Sequence, residues 1–273
     1  MIDNPLVLTI DFGTQSVRTS LINKQGEIEA IIKKKYEPCY YADHKGYAEQ
    51  DADFYWNNLV ECLKELAKNN EDKLSRIAGS TVTCFRDSSV QLDIHNKPIR
   101  RCILWLDQRM AVGKEKLPFY YWIAFRIIGL TDTVKLNRSR TIAHWLKENE
   151  PETWIKTKKY VNISAYLNYK LTGNLVDSVA SVTGHYPINF KKRCWYNDFA
   201  IRGMIFGVPS NMLCELKQPG EEMGTISDEV AKECGLPSGI KVFATGSDKA
   251  CETLGLGALN SECGAISYGT AST

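Results

Sequence analysis

Alternating apolar and polar residues open the chain, a pattern typical of β-strands with one buried face. It predicts strands over residues 6–11, 17–22 and 27–36, and in the third strand it places Ile28, Ala30 and Ile32 on one face. Polar turns that contain glycine separate the three segments. The chain is therefore predicted to begin as a β-meander.

Helical spacing of apolar residues begins after Asp51 and Asp53, which stand where helix N-caps are expected. It predicts a helix of roughly 15 residues across one face of the sheet. By the same criteria we predict further strands over residues 76–85, 89–94, 101–106 and 241–245, and further helices over residues 120–128, 140–148, 163–171 and 228–234. A meander joined to a crossover helix indicates an α/β sheet, and the helical stretch between residues 107 and 174 is expected to be an insertion that flanks it.

The charge balance is nearly even, with 34 basic and 32 acidic residues and a formal net charge of +2. Such a balance argues against nucleic acid or a membrane surface as the partner. The lysine run at residues 33–35 is interpreted as the solvated edge of the third strand, because edge strands often carry lysine.

Nine cysteines form no C-x-x-C pair and often lie in apolar runs, which predicts buried free thiols in a reducing cytoplasm. The chain shows no secretory leader and no run of 18 apolar residues, so neither secretion nor membrane insertion is expected. The four histidines share no metal-ligand spacing and are interpreted as surface or packing residues.

Three motifs suggest chemistry, and the first follows the first strand. Asp11 ends that strand and is followed by a turn that contains Gly13 and Thr14. Backbone N–H groups in such a turn are free to face phosphate oxygens, and the carboxylate is placed to reach a hydrated Mg²⁺. The alternative is an ordinary hairpin turn with no ligand.

The second motif is Gly246-Ser247-Asp248, where a strand passes into a helix. The exposed N–H groups of a helix start favour negative charge, so Ser247 or Asp248 is interpreted either as a helix cap or, for Asp248, as a general base on a substrate hydroxyl. The third motif is the chain end, where a strand is predicted to lead into a second glycine–threonine turn at Gly269 and Thr270.

The order and separation of these motifs resemble the phosphate and catalytic motifs of FGGY carbohydrate kinases. The segment at residues 103–109, Ile-Leu-Trp-Leu-Asp-Gln-Arg, resembles the tryptophan strand of that family, and residues 48–51 resemble its substrate-side loop. The resemblance implies a ribonuclease H-like α/β fold of the actin-like ATPase superfamily, a mixed sheet flanked by helices. It also implies an N-terminal substrate-binding domain over residues 1–259 and the start of a C-terminal nucleotide-binding domain over residues 260–273.

The family's functional residues are expected at the matching positions. Asp248 would be the catalytic base and would also contact the substrate, and Asp11 would be the Mg²⁺-associated carboxylate. The residues expected near the ATP phosphates are Gly13, Thr14, Gln15, Arg18, Gly269 and Thr270. The residues expected to hold the sugar or polyol are Arg86, Asp87 and Trp105, since guanidinium and carboxylate groups supply donors and acceptors to hydroxyls.

Three departures from the family pattern bear on the substrate and on the base. Arg86-Asp87 resembles the Arg-Glu pair of glycerol-kinase-like members with a shorter acid, whereas xylulose kinases usually carry Met-His there. Glycerol kinases also carry a substrate tyrosine near the segment Lys135-Leu136-Asn137. Lys249 stands beside the base where the family usually has an uncharged amide, which changes the charge around Asp248.

The sequence therefore predicts a cytoplasmic kinase that uses ATP and Mg²⁺ to phosphorylate a small sugar or polyol of the pentulose, pentitol or glycerol class. The expected partners are that small molecule and the C-terminal domain of the same chain, and a homodimer is left open. Because the adenosine pocket belongs to the second domain, residues 1–273 alone are expected to be nearly inactive. The alternative is a non-catalytic, actin-like ligand-binding module, while Arg86, Asp87 and Trp105 disfavour a chaperone-type ATPase.

Overall fold

A six-stranded mixed sheet forms the centre of the computed structural model, which describes residues 2–113, 117–182, 186–258 and 260–266. Its strands are β1 (Leu6–Phe12), β2 (Ser16–Asn23), β3 (Ile28–Lys35), β5 (Ile77–Cys84), β13 (Glu222–Thr225) and β14 (Lys241–Phe243). Their order across the sheet is β13-β14-β5-β1-β2-β3. Strands β1, β5 and β14 run parallel, while β2, β3 and β13 pair antiparallel with their neighbours.

The predicted meander is confirmed as β1-β2-β3, with one error in the third strand. Ala30 and Ile32 pack against the core as expected, but Ile28 is 58% exposed. The pairing of β2 with β3 shifts register between Leu21 and Ile22, and such a bulge interrupts the alternation of faces. The lysines at residues 33–35 lie on β3, which is the edge strand, as predicted.

Smaller sheets complete the β-structure. A four-stranded sheet has the order β4 (Glu49–Gln50), β7 (Cys102–Ile103), β6 (Ser89–Leu92) and β8 (Lys159–Asn162). One two-stranded sheet pairs β9 (Val176–Ser178) with β12 (Glu215–Lys217). Another pairs β10 (Ile188–Asn189) with β11 (Cys194–Trp195). Strand β7 is much shorter than its predicted counterpart, and β8 lies inside the stretch predicted to be purely helical. Strands this short leave too little periodicity for sequence to detect.

Nine described helices surround the sheets: α1 (Ala52–Asn69), α2 (Phe119–Ile127), α3 (Thr131–Arg140), α4 (Ile142–Asn149), α5 (Pro151–Lys156), α6 (Ile163–Thr172), α7 (Ile201–Phe206), α8 (Asp228–Cys234) and α9 (Asp248–Gly255). The predicted helices correspond to α1, α2, α4, α6, α8 and α9, and α6 ends as expected at Gly173, which adopts φ +80°. Helices α3, α5 and α7 escaped prediction. None of the described helices combines the length and apolarity needed to cross a lipid bilayer.

The main core lies between helix α1 and the central sheet, where Leu8, Ile10, Leu59 and Leu63 are fully buried or nearly so. A second cluster joins α4 to the four-stranded sheet through residues such as Leu146 and Tyr160. All nine cysteines are free thiols, as predicted. Their burial was predicted too broadly, since Cys194 and Cys263 are exposed.

The predicted strand at the chain end falls mostly outside the described residues. Gly264 to Ile266 form no regular element, and residues 267–273, which include Gly269 and Thr270, lie beyond the described part of the chain.

Candidate active site

The β1–β2 hairpin carries the first motif. The antiparallel register places Asp11 opposite Arg18, and Arg18 Nη1 donates to Asp11 Oδ2 at 2.8 Å. Within the turn the Gly13 N–H donates to the Ser16 carbonyl at 2.9 Å. A Cβ on Gly13 would meet only that carbonyl, at the ordinary distance of 3.4 Å, so the hairpin itself does not exclude a side chain there. The space above Gly13 is therefore open to a ligand, as the phosphate-turn hypothesis requires.

The substrate residues predicted at Arg86 and Asp87 follow directly after β5. Asp87 has φ +65°, a left-handed conformation that aspartate tolerates better than most residues. The strand end is fixed because the Phe85 N–H donates to the Phe12 carbonyl at 3.0 Å, beside the β1–β2 turn. The parallel pairing of β1 with β5 thus brings the Arg86-Asp87 pair and the glycine turn to the same end of the sheet.

Trp105 connects these two segments. Its backbone N–H donates to Ser88 Oγ at 3.0 Å, and its indole Nε1–H donates to Thr14 Oγ1 at 3.0 Å. The side chain is 36% exposed. Trp105, predicted to contact the sugar, is therefore hydrogen-bonded to Thr14, predicted to lie near phosphate. The two residues are 91 positions apart, so the sequence gives no sign of this contact.

Asp248 is the first residue of helix α9 and is not its N-cap. Ser247 is the N-cap, and its side chain accepts the Ala250 N–H. Gly246 is required for packing, because a Cβ there would lie 2.9 Å from Ala250 Cβ. The Asp248 carboxylate accepts only its neighbour's backbone N–H, from Lys249 at 2.7 Å, among the bonds that the structure assigns to it. It is thus a half-buried carboxylate with an oxygen available to a ligand.

Opposing influences set the acidity of Asp248. Burial raises the pKa of its carboxyl, and the Lys249 backbone N–H, the Lys249 ammonium and the Arg86 guanidinium oppose that rise. Lys249 is itself partly neutralised, since its Nζ lies 2.9 Å from Glu252 Oε2. A raised pKa makes the carboxylate a stronger base toward a hydroxyl proton.

One cavity of about 680 Å³ gathers most of the predicted residues. Those that line it are Gly13, Thr14, Gln15, Arg18, Arg86, Asp87, Trp105 and Asp248. Asp11 does not line it but is held by Arg18, which does. Lys249, expected beside Asp248, also lines it, and so do Lys33 and Lys35. The two edge-strand lysines were interpreted only as solvated edge residues, and nothing in the linear pattern shows that the edge strand borders the cavity.

A second cavity of about 520 Å³ shares Asp87 and Trp105 with the first. Polar side chains that sequence reasoning did not select line it, among them Gln108, Arg140 and Tyr160. Asn137, at the position noted for the tyrosine of glycerol kinases, lines it as well. Asp87 and Trp105 therefore stand at a junction, with Asp248 on one side and a second polar pocket on the other.

The Asp107-x-Arg109 segment of the tryptophan motif has a structural role. Both side chains are 1% exposed, and Arg109 donates from Nε and Nη2 to the two carboxylate oxygens of Asp107 at 2.8 and 2.7 Å. Arg109 also lies 2.7 Å from Glu49 and stacks on the rings of Tyr47 and Trp145. This buried cluster anchors the loop that presents Trp105.

The donors present suit a hydrated magnesium ion better than a directly ligated one. The described residues contain no group of three or more His, Cys, Asp or Glu side chains arranged to hold a metal. Asp11 has one carboxylate oxygen on Arg18, and its side chain is 39% exposed, so the other oxygen can reach metal-bound water. Mg²⁺ commonly keeps several waters and takes one or two carboxylates together with substrate phosphates, which fits Asp11.

Comparison with known proteins places this arrangement in a family. The model of the FGGY family of carbohydrate kinases, N-terminal domain, matches residues 6–255. A xylulose kinase of Lactococcus lactis subsp. lactis is 31% identical over 266 residues, which cover 97% of this chain and 52% of that protein. The chain thus spans about half the length of the curated relatives it matches.

Solved structures agree in fold. A gluconate kinase and a ligand-bound xylulose kinase, both from Lactobacillus acidophilus, each superpose with a TM-score of 0.79 at 22% and 21% identity. Each match covers 98% of this chain and 53% of the other. These likenesses confirm the actin-like ATPase fold predicted from the sequence. With the family model matching most of its length, the chain belongs to the FGGY family of carbohydrate kinases.

Proposed function

We propose that this chain forms the sugar-binding side of a kinase that transfers the γ-phosphate of MgATP to a hydroxyl of a small sugar or polyol. The observation that carries the proposal is the single cavity in which Asp248 faces the Arg86-Asp87 pair, Trp105 and the glycine turn. A base, a polyol-binding pair and a phosphate-type turn are the parts that phosphoryl transfer to an alcohol needs.

Each residue then has a defined task. Asp248 accepts the proton of the attacking hydroxyl, and its raised pKa supports that task. Arg86 and Asp87 donate to and accept from the other hydroxyls, while the indole of Trp105 covers the apolar face of the carbon chain. The glycine turn would present the Thr14 backbone N–H to phosphate oxygens, because the Gly13 N–H is held by the Ser16 carbonyl.

Positive charge on the cavity wall favours the anionic donor. Arg18, Lys33 and Lys35 line the side of the cavity nearest the glycine turn, and bound Mg²⁺ would neutralise further charge on the phosphates through water held by Asp11. In phosphoryl transfer most of the rate enhancement comes from positioning and from such neutralisation. The arrangement therefore suits a nucleoside triphosphate with its metal.

The adenosine side is proposed to come from a second domain that starts near residue 260, with Gly269 and Thr270 in its first phosphate turn. The proposal is supported by the relatives, which are about twice as long as this chain. Since transfer requires closure of two domains over both substrates, residues 1–273 alone are expected to bind the sugar but to turn over very slowly.

The substrate class is proposed to be a pentulose, pentitol or glycerol. Two neighbouring polar cavities that meet at Asp87 and Trp105 leave room for a chain of several hydroxylated carbons. The likeness to a xylulose kinase places pentuloses first among the compounds to be tested.

The test measures ADP release by the full-length protein against a panel of pentuloses, pentitols, glycerol and hexuloses. We expect Asp248→Asn to reduce kcat on the preferred sugar by at least ~100-fold, because the base is lost. Asp228→Asn is the matched control, since Asp228 also follows a serine N-cap at the start of a helix but lies on α8. An Asp248→Asn variant as active as the parent would refute the mechanism.

A non-catalytic ligand-binding module is the second candidate, and Lys249 favours it, because its charge beside Asp248 weakens the base. Calorimetric binding of a sugar together with no ADP release on any compound of the panel would establish this alternative. Sugar-dependent ADP release would exclude it.

A further inference from the structure

One buried carboxylate lies outside both cavities and has no cationic partner among the residues that the structure describes. Asp177 on β9 is 2% exposed. Its oxygens accept the Ser164 hydroxyl and the Ser178 backbone N–H, each at 2.8 Å, and the Asn162 side chain also hydrogen-bonds to it. Burial raises its pKa to about 6. Burying an ionisable group in this way costs folding free energy, which a functional role would explain.

A series of hydrogen bonds leads from Asp177 to the catalytic helix. Asp177 accepts the Ser178 N–H. The Ser178 side-chain oxygen in turn accepts the Ala180 N–H at 3.2 Å. The Ala180 carbonyl in turn accepts the Ser247 N–H at 3.2 Å. Ser247 is the N-cap of α9, and Asp248 is the next residue. The carboxylate of Asp177 thus orients a short turn that ends on the residue preceding the proposed base.

Helix α9 packs loosely along its described residues. None of them is buried, whereas Ser247 is 1% exposed. Cys251 Sγ contacts Thr83 Oγ1 of the sheet at 3.4 Å. The 3₁₀ turn at Val179–Ser181 also packs under Gly246, where an added Cβ would lie 3.8 Å from Ala180 Cβ. The position of Asp248 therefore depends strongly on this turn.

We propose that Asp177 is a positioning residue for Asp248, which acts through the Ser178–Ala180 turn and the Ser247 N–H. The proposal rests on the proposed function in taking Asp248 as the base. Asp177 lines neither cavity, so it is expected to change the rate of transfer and to leave sugar affinity alone. A displacement of about 1 Å at a reacting group can reduce the rate about 100-fold.

The first test compares three variants of the full-length protein by steady-state kinetics. We expect Asp177→Ala to lower kcat by about 10- to 100-fold with KM for the sugar within about twofold of the parent. Asp177→Asn is expected to keep kcat within about threefold, because its amide oxygen can still accept the Ser178 N–H. Asp93→Ala is the matched control, since Asp93 also accepts backbone N–H bonds but in a distant turn.

A kcat of Asp177→Ala within twofold of the parent would overturn the proposal, and so would an equal loss in the Asn and Ala variants. If Asp177→Ala does not fold, Ser178→Ala replaces it, because it removes the oxygen that accepts the Ala180 N–H while keeping the carboxylate. Ser178→Ala is then expected to lower kcat with KM unchanged, and an unchanged kcat would refute the role.

A second readout needs no activity. Cys251 lies one turn after Asp248 and is half-buried against Thr83, so its alkylation rate reports how firmly the start of α9 is docked. We expect iodoacetamide to modify Cys251 at least about fivefold faster in Asp177→Ala than in the parent, with Cys194 as the exposed internal reference. An unchanged rate would overturn the positioning role even if Asp248 proved to be the base. Faster alkylation would support it even if Asp248→Asn kept full activity.

Discussion

Two arginine–aspartate pairs of the same chemistry lie in different surroundings. Arg109 and Asp107 are each 1% exposed and form a two-bond pair inside a cluster with Glu49. Arg18 and Asp11 are each 39% exposed and share a single bond beside the cavity. The first pair cannot exchange partners without unfolding its surroundings, whereas the second can release a carboxylate oxygen to a ligand.

Burial therefore separates an ion pair that only stabilises the fold from one that can also bind a ligand. A buried ion whose partner is removed keeps its full desolvation cost, while an exposed one is rehydrated and screened. Asp177 and Asp248 extend the comparison, because among the described residues Asp177 is buried with no cation, whereas Asp248 is half-buried between a cation and the solvent.

The largest effect is expected in the buried pair. Arg109→Met leaves the buried Asp107 without its cation, while Glu49 keeps Arg100 at 2.6 Å, and should lower the free energy of unfolding by about 3–5 kcal/mol. Urea denaturation followed by tryptophan fluorescence measures this. Arg18→Met is the control, and similar losses in the two variants would show that burial does not separate the pairs.

Asp177 should give a pH-dependent effect of intermediate size. Its folded pKa of about 6 lies above the ordinary 3.8, so the ionised form is penalised in the fold, and that penalty grows between pH 4 and pH 6. The free energy of unfolding of Asp177→Asn, relative to that of the parent, should therefore increase by on the order of 1–3 kcal/mol from pH 4 to pH 7. Unfolding free energies at both pH values measure the gain.

Three described residues feel the charge of Asp177, namely Cys84, Cys214 and Tyr186, and burial raises the pKa of each well above its ordinary value. They stay protonated throughout the window. A difference between variant and parent that is constant from pH 4 to pH 7 would contradict the raised pKa of Asp177.

The exposed pair should contribute little to stability. A double-mutant cycle of Asp11→Asn and Arg18→Gln is expected to give a coupling of about 0.2–1 kcal/mol, decreasing with added salt. Unfolding free energies of the four proteins at low and high ionic strength provide it. A salt-independent coupling above ~2 kcal/mol would mean that the pair is structural after all.

The smallest expected effect concerns the electrostatics of Asp248. Since the Lys249 ammonium lowers the pKa of that carboxyl, Lys249→Gln should raise it and move the acid limb of the kcat/KM profile to higher pH. Glu252 acts in the opposite direction, so Glu252→Gln should move the limb to lower pH. Shifts of the same sign in both variants would contradict this account.

Much of the fold follows from local sequence patterns. The meander β1-β2-β3, strand β5, and helices α1, α8 and α9 were predicted because long alternation or helical spacing and clear helix-start residues mark them. Short strands such as β7 and β8 were shortened or missed, since pairing partners distant in the chain define them. The bulge that exposes Ile28 is likewise a property of two strands together.

The candidate site divides in the same way. The amino-acid sequence by itself determined the glycine turn after Asp11, the helix start at Asp248 and the Arg86-Asp87 pair, because each is a local arrangement of residue types. Only the tertiary structure decided that Trp105 bonds to Thr14, that the edge lysines line the cavity and that a series of hydrogen bonds joins Asp177 to the start of helix α9. Those relations depend on burial and on distances between segments far apart in the chain, which no local pattern of residues encodes.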